Sequence, residues 1–309
     1  MNTVLIVGVD SVVGANCAVV FGEKFRVVGV AQRTGVRIED CEIRTLQRHD
    51  AASVRKVIQQ EQPLWVVFCG AAAQSSWDLK TADCIDDAAA IAWAQAAQQA
   101  GSDFTMVSSD AVFTGPWVSH NEADENYCQS PRACHIREIE DAVFTAHPEA
   151  LVVRTNVIGW SAQSRPTGFV EQVLASFDQQ TSLEIDFVRH GSPVLASDFA
   201  DMLLTAYDNE VCGMLHLSGG ERVNPFQLVE LLAEAADLAP PEMPTLTTLA
   251  APVTGFGLGE TTLNCALARE LIGIQPPLID DSIRSLMAQR VNGFCDKLRA
   301  ATAELSKVA

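Results

Sequence analysis

The residues with the clearest potential for chemistry lie near the N-terminus, where a short apolar run meets two glycines. Gly8-Val-Asp-Ser-Val-Val-Gly14 follows the β-branched run that begins at Thr3 and precedes a helical pattern. Glycines at such a junction permit a tight bend and a close backbone approach, while the start of the helix presents N–H groups to an anion. The segment therefore predicts a turn that binds the phosphates of a dinucleotide. The predicted contacts are Gly8, Asp10, Ser11, Val12, Val13 and Gly14.

Two residues of this turn depart from the glycine-rich pattern that favours phosphate binding. Ser11 stands where a middle glycine is usual, so its Cβ limits close approach although its hydroxyl and N–H are donors. Asp10 places a negative charge beside the expected anion. Two interpretations stay open: a turn that binds a cofactor, and an inherited turn that no longer does.

The residues after the second apolar run bear on which cofactor the turn would bind. That run ends at Ala31 and is followed by Gln32 and Arg33, and the first acidic residue downstream is Glu39. A carboxylate here binds the ribose hydroxyls of NAD, whereas arginine suits the extra phosphate of NADP. Gln32 and Arg33 therefore predict NADP(H) rather than NAD(H), with a solvent-facing arginine as the alternative.

Composition limits the class of protein. The 309 residues carry a formal net charge of −18, which argues against nucleic-acid binding because that depends on Lys and Arg against phosphates. Hydrophobic residues make up 48% and charged residues 19%, as in soluble globular proteins, and no apolar run approaches the length of a membrane span. The nine cysteines form no CxxC pair. We therefore expect reduced thiols, no metal site, no membrane association and a cytoplasmic location.

Hydrophobic patterning in the first half alternates short β-branched runs with amphipathic stretches. This alternation is typical of a parallel sheet covered by helices on both faces, so we predict an α/β, Rossmann-type doubly wound fold. Polar, proline-containing loops after Arg154 indicate a smaller C-terminal lobe. We expect a dinucleotide-binding domain over residues 1–157 and a partly interleaved substrate lobe over residues 158–309. The predicted strands are Thr3–Val9, Arg26–Ala31, Leu64–Cys69, Asp103–Ser108 and Ala150–Arg154, and the predicted helices are Val13–Gly22, Ala52–Glu61, Ile85–Ala100, Arg132–His147, Ser197–Asp208, Pro225–Ala236 and one from Ile279 onward.

Motifs beyond the turn form an ordered series along the chain. Ser108-Ser-Asp-Ala-Val-Phe-Thr-Gly115 and Val152-Val-Arg-Thr-Asn-Val-Ile-Gly159 follow the fourth and fifth predicted strands. The first resembles the Ser-Thr-Asp-Tyr-Val-Phe-Asp-Gly of the dTDP-4-dehydrorhamnose reductase branch of extended short-chain dehydrogenases, and the second resembles the strand-five exit of that branch. The resemblance covers nearly the whole chain and implies NAD(P)H-dependent reduction of 4-keto nucleotide sugars. Further similar segments are Gly191–Ala200, Gly213–Gly219, Thr262–Asn264 and Leu271–Ile274.

The resemblance also implies roles for individual residues. Hydride addition to a ketone leaves an alkoxide, which the family protonates from a tyrosine whose pKa is lowered by a lysine four residues on. A neighbouring Ser or Thr holds the carbonyl oxygen, and Ser109 stands at that position. The further cofactor contacts implied by the resemblance are Gly70, Ala71, Ala72 and Asn156.

The tyrosine–lysine pair is missing. Counted back from Glu140, which matches a family glutamate, the tyrosine position is Arg132 and the lysine position is Ile136. No lysine occurs anywhere between residues 80 and 297, so no shift of register restores the pair. A substitute mechanism would have to use His135 or Arg132 as the acid.

Three functions stay open on this sequence. The first is an NAD(P)-binding protein that resembles the reductase but lacks its ordinary activity. The others are an active sugar-nucleotide oxidoreductase with non-standard acid–base residues, and a non-catalytic regulatory subunit. The candidate partners are a nucleotide sugar, a second copy of the chain and a regulatory partner protein. Arg165 and Arg189, in loops of the smaller lobe, are candidate contacts for a substrate diphosphate, and Trp117 and Trp160 are candidate stacking groups.

Overall fold

A computed structural model of the chain describes residues 1–32, 35–78, 84–163, 165–181, 185, 188–239 and 254–300. Its centre is a seven-stranded sheet of order β3-β2-β1-β4-β5-β6-β9, in which every pairing is parallel. The strands are β1 Thr3–Val7, β2 Arg26–Ala31, β3 Cys41–Thr45, β4 Trp65–Phe68, β5 Asp103–Ser109, β6 Leu151–Thr155, β7 Val157–Ile158, β8 Val194–Leu195 and β9 Gly213–His216. The helices are α1 Val12–Phe21, α2 Ala51–Glu61, α3 Ala89–Ala100, α4 Pro131–Ala146, α5 Phe169–Gln179, α6 Ala196–Asp208, α7 Pro225–Ala235, α8 Ala266–Ile272, α9 Ile279–Gln289 and α10 Phe294–Leu298.

Helices cover both faces of this sheet, which confirms the predicted doubly wound α/β fold. Alternate residues of β1 point to opposite faces: Val4 and Ile6 join one buried cluster, and Leu5 and Val7 join the other. The first cluster lies against α1, α5 and α6, and the second against α2, α3 and α4. Because both faces are buried, the central strands consist almost entirely of apolar residues.

The five predicted strands are confirmed, with ends that differ by one or two residues. The prediction missed β3, because only Ile43 of Cys41–Thr45 is a strongly apolar strand residue and the charged side chains of this edge strand face solvent. It also missed α5, a stretch to which no element was assigned, and α3 begins at Ala89 rather than at Ile85. A short edge strand carries a weak periodic pattern, and α5 begins after a glycine rather than after a residue with a capping side chain.

The sheet draws strands from both halves of the chain. β9 comes after α5 and α6, in the stretch that was predicted as a substrate lobe, yet it pairs with β6 as the seventh strand. The short pair β7–β8 sits beside this sheet and brings the residues after Asn156 next to the start of α6. Within the described ranges, no helix is both long and apolar enough to cross a membrane.

A buried ion pair ties α4 to the sheet. Arg154 of β6 donates from Nη2 to Glu140 Oε2 at 2.6 Å and from Nε to Glu140 Oε1 at 3.1 Å. Ser108 of β5 donates to the same carboxylate at 2.6 Å. Arg154 and Glu140 are 3% and 2% exposed, so neither charge is solvated and each depends on the other. The pair fixes α4, the helix that carries positions 132 and 136, against β5 and β6.

We expect Glu140→Ala to lower the free energy of unfolding by about 3–5 kcal/mol, because it leaves the Arg154 guanidinium buried without a counter-charge. Urea unfolding followed by circular dichroism measures this. The control is Glu138→Ala, two residues away on the same helix with a side chain 78% exposed, which should change stability by no more than ~0.5 kcal/mol. Equal effects of the two substitutions would contradict the assigned role of the pair.

Candidate functional site

The predicted glycine turn lies at the carboxyl ends of β1 and β4. Gly8 has a φ of +81°, and a Cβ there would lie 2.0 Å from the carbonyl oxygen of Cys69. A Cβ at Gly14 would lie 2.3 Å from the carbonyl oxygen of Gly8. Neither position can therefore carry a side chain without moving the backbone. The two glycines are accounted for by close packing of the turn, whatever ligand it holds.

Ser11 caps α1 within this turn. Its hydroxyl donates to the Gly8 carbonyl at 2.7 Å and accepts from the Gly14 N–H at 3.0 Å. The hydroxyl thus accepts a hydrogen bond from one of the N–H groups in the first turn of the helix. The N–H groups of Val12 and Val13 have no acceptor in the described part of the chain. These two donors, at the positive end of the helix dipole, can meet one phosphate group.

The space in front of the turn is small and acidic. Asp10, Ser11 and Asp78 line a cavity of about 20 Å³, which is room for roughly one water molecule. Gln163 reaches across from the smaller lobe and donates to the Asp10 carbonyl at 3.3 Å. Burial raises the pKa of Asp78 to about 7, although its carboxylate accepts the N–H of Phe169 at 2.7 Å. A phosphate group in this space would lie against the carboxyl groups of Asp10 and Asp78.

The segment after β4 forms a second wall of the site. A Cβ at Gly70 would lie 2.5 Å from Asp87 Oδ1, and the same oxygen accepts the N–H of Ala72 at 2.8 Å. Ala71 begins the short 3-10 turn that holds this contact. Burial raises the pKa of Asp87 to about 6. Gly70, Ala71 and Ala72 therefore form a tight loop around a buried carboxyl, which was not predicted from the sequence.

Gln32 and Asn156 follow two different strands of the sheet, β2 and β6. Gln32 is half-buried directly after β2, and the neighbouring Arg33, on which the NADP(H) prediction depends, lies outside the described residues. Asn156 is 2% exposed and accepts the hydroxyl of Ser75 at 2.6 Å. Its side chain belongs to a polar network in the centre of the cleft.

The centre of this network is Asp110, a residue that the sequence interpretation left without a role. Its carboxylate accepts the hydroxyl of Thr261 at 2.7 Å and that of Ser76 at 3.4 Å, and it interacts with Asn156. Burial raises the pKa of Asp110 to about 7, against the lowering effect of these hydrogen bonds. The Ser108-Ser-Asp motif was the available signal, but its partner Thr261 is 151 residues away.

Ser109 adjoins Asp110 at the end of β5 and is 2% exposed. Its hydroxyl accepts the N–H of Ala111 at 3.1 Å and so caps the 3-10 turn that follows the strand. The hydroxyl hydrogen has no acceptor among the described residues. Ser109 keeps a donor, in addition to its structural bond, that can meet a carbonyl oxygen.

The two positions to which the resemblance assigns the tyrosine and the lysine differ sharply in environment. Ile136 is 1% exposed and packs in an apolar cluster with Ala72, Val112, Phe113 and Leu263. Arg132 is exposed at the start of α4, where its guanidinium lies 4.3 Å from the ring centroid of Phe256. The lysine position is therefore an apolar packing position.

The remaining candidate groups lie apart from one another. His135 is 57% exposed on the outer side of α4, close to Glu138. Arg189 donates to the Ser76 carbonyl at 3.2 Å, near the Asp110 network. Trp160 is 7% exposed and its indole N–H donates to the Leu286 carbonyl, so it is a packing residue, whereas Trp117 is 60% exposed. Arg165 lines a different cavity, next to α5 and the ends of α9 and α10.

We expect Asp110→Asn to change the pH dependence of stability. A carboxyl with a raised pKa in the folded state favours folding when protonated, so its contribution is lost as pH rises from its ordinary value of 3.8 towards 7. A shift of this size corresponds to about 4 kcal/mol. Asparagine stays neutral, so the variant should gain free energy of unfolding relative to the natural protein between pH 5 and pH 8.

Urea unfolding at both pH values measures this gain. Asp141→Asn, at an exposed position of α4, removes an equal charge from the surface and should show no comparable gain. A difference between Asp110→Asn and the natural protein that does not change from pH 5 to pH 8 would mean that Asp110 is ionised throughout.

Comparison with known structures agrees with the fold. A structure of dTDP-4-dehydrorhamnose reductase from Bacillus anthracis in complex with NADP superposes with a TM-score of 0.78 at 18% identity, over 94% of this chain and 100% of that one. The Bordetella bronchiseptica enzyme WbmH in complex with NAD+ gives 0.73 at 20% identity, over 95% and 100%. A dTDP-4-dehydrorhamnose reductase from Yersinia enterocolitica gives 0.73 at 17% identity, over 93% and 99%.

At these identities the structural matches show a shared fold. No curated protein sequence matches the chain. The sequence pattern of one family, described as the RmlD substrate binding domain, matches residues 1–291, which is nearly the whole chain. The ordered motifs, the parallel seven-stranded sheet and this match agree, and the chain belongs to the RmlD substrate binding domain family.

Proposed function

We propose that this protein binds a nicotinamide dinucleotide at the Gly8–Gly14 turn and a nucleotide sugar in the adjoining cleft, without the tyrosine–lysine reduction of its family. The observation that carries the proposal is Ile136, a buried apolar side chain at the lysine position. Protonating an alkoxide at neutral pH requires a positioned acid whose pKa is brought near the working pH. Isoleucine cannot lower the pKa of any neighbour by charge.

The nearest phenol does not substitute for the missing one. The ring of Tyr127 stacks on Phe113 at 5.3 Å, and the guanidinium groups of Arg137 and Arg154 lie 4.3 Å and 5.3 Å from its centroid. Tyr127 thus belongs to the packing around the Arg154 ion pair. The other tyrosine, Tyr207, stacks on Trp65, which is the first residue of β4. It therefore lies at the amino-terminal edge of the sheet, opposite the edge that carries the cleft. Losing a positioned acid typically slows such reactions by about 10²–10⁴-fold.

The hydrogen-bond donors of the turn favour a dinucleotide, whereas the negative charge of Asp10 opposes one. Val12 and Val13 offer two N–H groups, and the backbone at Gly8 and Gly14 is as tight as such a turn requires. Asp10 and the Ser11 side chain stand on the side from which pyrophosphate would approach. A bound nicotinamide would supply hydride chemistry. The residues of this chain supply the phosphate donors and a hydroxyl, Ser109.

The comparisons support a nicotinamide dinucleotide as the ligand and include both NADP and NAD+. One similar structure contains NADP and another contains NAD+. The preference for NADP(H) rests on Arg33 and on the lack of an acidic residue before Glu39. It is proposed here on the sequence alone, as are a soluble cytoplasmic location and assembly with a second copy or a regulatory partner.

We expect NADPH to bind more tightly than NADH, and Ser11→Gly to tighten both by removing the Cβ that faces the pyrophosphate. Fluorescence titration at fixed ionic strength measures the Kd values. Ser11→Ala is the matched control: it removes the helix-capping hydroxyl but keeps the Cβ, and costs about 1 kcal/mol of stability, against a few tenths for glycine. Lack of any binding up to millimolar NADPH would refute cofactor binding.

We expect no turnover at ordinary enzyme rates when the protein is incubated with NADPH and a dTDP-4-keto-6-deoxy sugar, because the acid that protonates the alkoxide is absent. Absorbance of NADPH at its long-wavelength band follows the reaction. Turnover at such rates would overturn the proposal and favour an enzyme that uses Arg132 or His135. In that case Arg132→Gln or His135→Gln should abolish the activity, and an unaffected rate would exclude the substituted residue.

A further inference from the structure

A second cavity lies beside the loop between β7 and α5. Gln163 of the same loop contacts the glycine turn. The cavity has a volume of about 330 Å³ and lies between this loop, α5 and the C-terminal helices α9 and α10. Leu174 and Trp160 form part of its apolar wall. Its other side carries three arginines, in a chain whose net charge is −18. The three are Arg165, Arg290 and Arg299.

One arginine of the three is used by the fold. Arg299 donates from Nε to the Ser161 carbonyl at 3.0 Å and from Nη2 to Glu171 Oε1. Glu171 in turn accepts the N–H groups of Ser161 and Thr167 at 3.1 and 3.0 Å. The carboxylate is 5% exposed and its charge is matched by Arg299. This pair therefore ties the loop between β7 and α5 to the end of α10, and its two charges offset each other.

Arg165 and Arg290 have no such partners. Neither guanidinium makes a hydrogen bond or an ion pair to any residue in the described ranges, and both side chains belong to exposed residues that line the cavity. Asp178, the other acid of the cavity wall, is exposed and forms no ion pair with either. Isolated arginines are common on surfaces, but two that line one concave, partly apolar cavity without an ion-pair partner in the described ranges supply two positive charges to one anion.

We infer that this cavity binds a small phosphorylated anion with at least two negative charges, of the size of a diphosphate or a nucleoside diphosphate. Arg165 and Arg290 would each take one phosphate group, and the apolar wall of Leu174 and Trp160 would contact the organic part. The site is distinct from the glycine turn: Gln163, in the same loop as Arg165, reaches Asp10 on the opposite side. The loop between β7 and α5 thus lies between the glycine turn and the second cavity.

The test uses inorganic pyrophosphate as the probe and isothermal calorimetry on the full chain. We expect a Kd below ~1 mM, and a weakening on the order of 100-fold in Arg165→Gln/Arg290→Gln, since each lost charge-assisted contact typically accounts for about tenfold. The matched control is Arg284→Gln, an exposed arginine of α9 that pairs with Asp281 at 2.8 Å and lies outside the cavity wall. It should bind pyrophosphate as the natural protein does.

Two further measurements make the result decisive. Saturating NADPH should leave pyrophosphate binding unchanged, and the double variant should keep the NADPH affinity of the natural protein, because the glycine turn is intact in it. A natural protein that fails to bind pyrophosphate would overturn the inference. So would a double variant with unchanged affinity, or competition by NADPH, because either would place the pyrophosphate elsewhere. Adding UDP in place of pyrophosphate tests whether the apolar wall contributes, and tighter binding of UDP is the expected result.

Discussion

The contact of Gly8 with the carbonyl of Cys69 sets the geometry at the carboxyl edge of the sheet. Here β1 leaves the sheet directly against the end of β4, and a side chain at Gly8 would lie 2.0 Å from that carbonyl. The same bend brings Gly14, at the start of α1, within contact of Gly8. Parallel strands that end at one edge place their following loops side by side, so the turn, the loop at Gly70 and the Asp110 network share one cleft. Every candidate group in the cleft depends on this close packing.

Buried carboxyls distinguish this cleft from an electrostatically favourable phosphate site. Asp87 and Asp110 are buried and Asp78 is half-buried, and burial raises the pKa values of Asp78, Asp87 and Asp110 to about 7, 6 and 7. Each is stabilised by N–H or hydroxyl donors of neighbouring loops. They join segments that are distant in sequence, so they contribute to structure as well as to charge. An anionic ligand binds more favourably when these carboxyls are protonated, so its occupancy should fall as pH rises through their pKa values.

Position 136, to which the family resemblance assigns a lysine, is occupied by an apolar packing residue. A lysine buried there would need a partner, because an unpaired ammonium group in an apolar surrounding is strongly unfavourable. Isoleucine packs with Val112 and Leu263 and needs none. The nearby Arg154–Glu140 pair fixes the same helix to the sheet. Helix α4 is thus held by apolar packing at position 136 and by an ion pair at position 140.

The sequence by itself determined the doubly wound fold and the place of the glycine turn, and it contains no lysine between residues 80 and 297. These follow from local signals: apolar periodicity, two glycines at a strand–helix junction, and residue types at fixed spacing. Only the tertiary structure decided that Asp110 meets Thr261, that Gln163 covers Asp10, and that Arg165 faces a cavity outside the cleft. Each of these depends on contacts between loops far apart in the chain. Hydrophobic periodicity fixes which face of an element is buried, but it carries no information about which loops meet above the sheet.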